Sequence, residues 1–115
     1  MFTCSLTQAG STSVLDLQGT ADVEQAEEVR TAMLQALTQS GRLEIRFAQG
    51  AQIGLPIMQL VCAAHRMARR MGRTVELSGP SCQRIGDAVA LAGFCGNPAG
   101  NAAAMTDCVW NRRPS

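Results

Sequence analysis

The chain has no tyrosine and no lysine, a single histidine, a single tryptophan and three phenylalanines in 115 residues. So few aromatics remove the stacking platforms that single-stranded nucleic-acid binders use. They also disfavour a β-sandwich, which draws on aromatic and β-branched residues. The ten basic residues are all arginine, which we read first as codon bias, and nine carboxylates leave a net charge of +1. No global charge therefore selects an anionic or cationic partner, and no nucleic-acid contact is expected. Long apolar runs are missing too. The most apolar stretch, LPIMQLVCAA, is interrupted by Gln59 and stopped by His65, short of the roughly 18 residues a membrane-spanning helix needs. Residues 1–10 lack the charged-then-apolar pattern of a leader, so a cytoplasmic chain with no direct membrane insertion is expected. The five cysteines, at 4, 62, 82, 95 and 108, are odd in number and form no CxxC pair. Reduced thiols packed as small hydrophobes follow from that.

What is present is alternation. Phe2 to Leu6 and Ser13 to Gln18 read as short strands separated by the turn signal Gln8-Ala9-Gly10-Ser11, the second ended by Gly19 and Thr20. Asp22 to Gln39 reads as a helix capped by Asp22, with Glu24, Glu27 and Glu28 on the positive end of its dipole. Its apolar face is Val23, Ala26, Val29, Met33, Ala36 and Leu37. Arg42 to Phe47 alternates cleanly as a half-buried strand, and 48–55 is a loop. A second helix is expected from Pro56 to Met71, with proline at its first position. Its core stripe is Ile57, Leu60, Val61, Ala64, Ala68 and Met71, and its other faces carry Met58, Gln59, Cys62, His65, Arg66, Arg69 and Arg70. Thr74 to Leu77 is a strand, Ser81 a cap, and a third helix runs to about Ala92 with Cys82, Ile85, Val89 and Ala92 inward. The order ββαβαβα predicts one α/β domain over residues 1–94. It has a mixed four- to five-stranded sheet, three to four helices and a C-terminal extension, 95–115.

Catalytic and metal chemistry find little support. Cys62 and His65 share one side of a helix, and such a pair can activate a thiolate, yet no third group is in evidence to orient the imidazole. A zinc site from Cys62, His65 and two of Cys82, Cys95 and Cys108 would lack the two-to-four-residue ligand spacing of structural zinc motifs. The glycines form neither a phosphate-binding nor a dinucleotide fingerprint. No cofactor, no metal and no enzymatic activity are therefore expected. Arg66, Arg69, Arg70 and Arg73 are the strongest charge cluster and suit a protein contact, where arginine is enriched.

Several ordered matches resemble the STAS domains of anti-sigma-factor antagonists. Leu17-Gln18-Gly19-Thr20-Ala21-Asp22, followed by Ala26 and Val29, is similar to that family's L-x-G-x-x-D-x-x-x-A-x-x-L. Leu43 to Phe47 is similar to its hydrophobic strand. Ser78-Gly79-Pro80-Ser81 and Leu91-Ala92-Gly93-Phe94 resemble its later turn and helix end. The departure lies between them. Where the family carries Asp-Ser-Ser/Thr-Gly before a helix, Ile53, Gly54, Leu55 and Pro56 stand here, and Leu55 occupies the phosphoacceptor position.

The resemblance implies a regulatory module of bacterial signal transduction that docks a partner protein and has lost the phosphorylation switch. The docking surface would be the 48–55 loop and the outward side of the second helix: Gly54, Leu55, Pro56, Met58, Gln59, Cys62, Arg66 and Arg69. The partner classes it implies are an anti-sigma or sensor kinase, a chemotaxis component, or the ATPase of a lipid or anion transport assembly. A homodimer is compatible with it. The rival from another class is a thiol-based redox sensor or enzyme using Cys62 or Cys108.

Overall fold

A computed structural model describes residues 2–91, with side chains through residue 87. The expectations for Val89, Ala92 and the extension bearing Cys95, Cys108 and Trp110 fall outside it. Strand β1 (Phe2–Ala9) and strand β2 (Thr12–Ala21) form an antiparallel hairpin, closed by Gly10-Ser11 with Ala9 paired to Thr12. Gly10 takes φ +63°, a turn conformation available to glycine at little cost. Both strands outrun their sequence-based bounds. Gly19 does not end β2: it pairs with Phe2, and the strand continues to Ala21.

Asp22 then caps the chain as expected, its carboxylate accepting from the Val23 amide at 2.8 Å while Gln25 Oε1 accepts from the Asp22 amide at 2.8 Å. This reciprocal box opens a 3-10 turn, Val23–Gln25, before helix α1 (Ala26–Gln39). The first turn is therefore tighter than α-helical. Val23, assigned to the apolar face, is instead 68% exposed.

Strand β3 (Arg42–Phe47) has the expected bounds and pairs parallel with Thr12–Leu17 of β2. A two-residue strand β4 (Gln52–Ile53), which no alternation could reveal, pairs parallel with Thr20 and Ala21. Helix α2 (Leu55–Arg70) begins one residue earlier than expected, so Pro56 is its second residue, and strand β5 (Thr74–Ser78) pairs parallel with β3. Helix α3 (Cys82–Leu91) follows. The path β1-β2-β3-β5, with β4 extending the far end of β2, makes a mixed five-stranded sheet with three helices. The expected α/β order is met with one strand added.

One face of the sheet is buried: Leu15 and Leu17, Leu43, Ile45 and Phe47, Val75 and Leu77 join Val29, Met33, Ala36 and Leu37 of α1, Ile57, Val61 and Ala68 of α2, and Ile85 of α3. Burying each of the Val, Leu, Ile, Met and Phe side chains among them favours folding by about 1.5–3 kcal/mol. The α2 stripe differs from expectation at three places. Leu60 is half-buried, Met71 is 42% exposed, and His65, placed outward from the sequence, is buried. The opposite sheet face is polar, with Asp16 near Arg46 (3.5 Å), Arg42 on Glu76, and the Ser78 hydroxyl donating to Glu44 at 2.7 Å.

The β5–α3 turn approaches the end of β3 closely. Gly79 has φ +100°, and a Cβ there would lie 2.3 Å from the Phe47 carbonyl oxygen and 2.7 Å from its nitrogen. Main chain cannot retreat as a side-chain tip can. Gly79→Ala should therefore cost about 2–3 kcal/mol in urea denaturation. The control Gly50→Ala, with φ +79° and open space around the added carbon, should cost only about 1–2 kcal/mol of left-handed strain.

Candidate docking site

The site is built where β2 outlasts β3. Beyond Leu17, β2 has no β3 residue to pair with, and the chain leaving β3 runs on in the same direction to use that free edge. The Ala48 amide donates to the Leu17 carbonyl (3.0 Å), the Ala51 amide to Ala48 (3.0 Å) and the Gly54 amide to Ala21 (2.8 Å). From the other side α3 reaches the same segment. The Ser81 hydroxyl, expected to cap α3, donates to the Ala48 carbonyl at 2.7 Å, and Arg84 donates to the Ala51 carbonyl. Ala51 is buried beneath these contacts. The 48–54 segment is thus a braced platform, held by its own main-chain atoms.

Helix α2 starts at the end of that platform without a capping side chain of its own; Gly54 is the N-cap residue, and its carbonyl accepts from the Ile57 and Met58 amides. The carboxylate of Asp22 stands against Gly54. A Cβ on residue 54 would lie 2.6 Å from Asp22 Oδ1 and 2.8 Å from Cγ. One carboxylate thus caps the first turn after β2 and also lies beside the positive end of α2, where negative charge is favoured. Sequence reasoning assigned Asp22 the first task alone. The glycine at 54 permits the second, and neither residue signals it without the other.

Two exposed apolar side chains flank this contact. Leu55 follows Gly54 and is 54% exposed, and Val23 follows Asp22 and is 68% exposed. With Met71 they are the large hydrophobic residues most open to solvent among the described residues. Of the other expected contacts, Gln59, Arg66 and Arg69 are exposed, and Gly54, Pro56, Met58 and Cys62 are half-buried. Met58 and Cys62 pack partly against the core, so they border the surface rather than project from it. Leu55, Gln59 and Arg66, four and seven residues apart, lie on one outward side of the helix. Val23 was missed because it was read as α-helical; Asp22 followed by a β-branched residue was the only available hint.

The thiol chemistry weighed above gains nothing here. Cys4, Cys62 and Cys82 are half-buried, and among the described residues no three of His, Cys, Asp and Glu come together at metal-binding range. Burial, with Glu28 adding to it, pushes the Cys4 thiol up to about 11, so at neutral pH it is an unreactive thiol. Cys108 lies outside the described residues.

The family model described as "Mlab, STAS domain" matches residues 4–96. No curated protein matches the chain.

Two measurements follow from this geometry. Gly54→Ala should displace the Asp22 carboxylate and lower stability by about 1 kcal/mol, the usual worth of a cap, visible as a shifted urea midpoint at constant slope. Cys4 contributes stability below its ordinary value of 9.0 that is lost as pH rises toward about 11. The melting temperature of the wild type should therefore fall more steeply between pH 8.5 and 11 than that of Cys4→Ala.

Proposed function

The chain belongs to the STAS domain family, whose members commonly mediate protein interaction, and from that premise we propose that it is a non-enzymatic regulatory module that docks a partner protein. The contact is made by the braced 48–55 loop and the outward side of α2. Leu55 is the central apolar anchor, Val23 widens it, and Gln59, Arg66 and Arg69 form the polar rim. An apolar centre ringed by polar groups is the usual anatomy of a protein interface. The observation that carries the reading is the pairing of an exposed Leu55 with a loop fastened on both sides. A chain that leaves a leucine in water on a rigid platform loses little entropy when that leucine is covered.

The docking has no phosphorylation switch at this loop, because residues 48–58 contain no serine or threonine. That absence favours, among the partner classes above, the ATPase of a transport assembly over a kinase that acts by modifying the loop.

Immobilised protein should capture its partner from a lysate of its own cells, and Leu55→Glu should reduce the recovered amount at least about tenfold, equivalent to about 1.4 kcal/mol. The side chain is more than half exposed, so the melting temperature should stay within a few degrees of wild type. Undiminished capture by a folded Leu55→Glu protein would overturn the site. An ATP-binding subunit among the captured proteins would select the transport reading, and a sensor kinase or chemotaxis protein would select the signalling one.

A further inference from the structure

Helix α2 has a second flank, turned away from Met58 and Cys62 and toward α1. There a cleft of about 90 Å³ opens between the two helices, lined by Leu34 and Leu37 of α1 and by Leu60, Ala63 and Met67 of α2, with Arg30 on its rim. Leu34, Leu60 and Met67 are half-buried and Ala63 is exposed, so an apolar seam remains open along the helix pair. The docking reading above does not use it.

Charge distinguishes this seam from an ordinary gap in packing. Residues 55–70 contain three arginines and no carboxylate. Arg66 and Arg70 stand exposed on the turns beside Ala63 and Met67. Among the described residues no carboxylate forms an ion pair with either of them. On the α1 side, Arg30 has only Glu27 within range among the described residues, at 3.9 Å with both side chains mostly exposed, a pair worth little in water. The negative end of the helix dipole explains arginines in the last turn of α2. It does not explain Arg30, which stands in the second turn of α1.

We propose that the α1–α2 cleft seats an amphipathic helix of a partner protein. Its aliphatic stripe lies on Leu34, Leu60 and Met67, and its flanking glutamates meet Arg30 and Arg70. This is the helix-in-groove mode, in which apolar anchors repeat every three or four residues and flanking charges set orientation. The inference takes from the preceding section only that the chain is an interaction module, and it does not depend on Leu55.

The test uses two synthetic peptides of 16 residues, matched to the length of α2. Both carry the same leucine stripe at i, i+3 and i+4, one with glutamate flanks and one with lysine flanks. Binding to the full chain is measured by fluorescence anisotropy at physiological salt, and the contacted residues are located by amide chemical shifts. The glutamate peptide should bind at least about ten times more tightly than the lysine peptide and should shift Leu34, Ala63 and Met67. The charge-reversed double variant Arg30→Glu, Arg70→Glu should invert that preference, and Leu55→Glu should leave it intact. Equal affinity for the two peptides, or shifts confined to residues 48–55, would overturn the proposal. So would dimerisation in sedimentation that the double variant abolishes, since a second copy would then fill the cleft. A negative result here beside Leu55-dependent capture removes the cleft and spares the loop site.

Discussion

Strand β2 is ten residues long and its parallel neighbour β3 only six, and much of the functional architecture depends on that mismatch. Six residues of β2 satisfy β3. The residues beyond present main-chain donors and acceptors that, if buried unpaired, would each cost free energy comparable to a lost hydrogen bond. The chain after β3 answers this by continuing forward along β2 and pairing with it again, still parallel, as β4. That second pairing brings residue 54 to the turn after β2, and so sets Gly54 against Asp22 and Leu55 near Val23. The position of α2, and of everything on its outward side, is inherited from a pairing only two residues long.

Much of this was legible in advance wherever periodicity ran long enough to average out local exceptions. The alternation of Leu43, Ile45 and Phe47 located β3 to the residue, and the 3.6-residue spacing of Val29, Met33, Ala36 and Leu37 located the buried face of α1. The misreadings occur where the period changes or has no room to show. Val23 was phased as if the α-helix began at Asp22, but a 3-10 turn advances about 120° per residue and rotates it into solvent. Met71 falls at the C-cap, where α2 has ended. His65 was sent outward on polarity alone, yet it follows Val61 by four residues and lies within the buried stripe. Strand β4 is too short for any pattern, and Gly19 looked like a terminator because glycine usually is one.

The candidate site was legible in a different sense. Its centre, Leu55, stood out because a hydroxyl was expected at a helix start and an aliphatic side chain was found. Most of the support around it was not visible, because it is made by groups that every residue possesses. The Leu17, Ala21 and Ala48 carbonyls and the Ala48, Ala51 and Gly54 amides do most of the holding, and only the Ser81 hydroxyl and the Arg84 guanidinium add side chains to it.

That reliance on main-chain atoms also bears on how such a domain can change over time. The fastening of the platform does not depend on what residues 49, 52 and 55 carry as side chains. Those positions can be rewritten one at a time while the fold beneath them is conserved. Sequence change on the loop can then redraw the exposed surface without taxing foldability. The leucine at position 55, more than half exposed, is one such choice, carried on a loop whose hydrogen bonds do not run through its side chain.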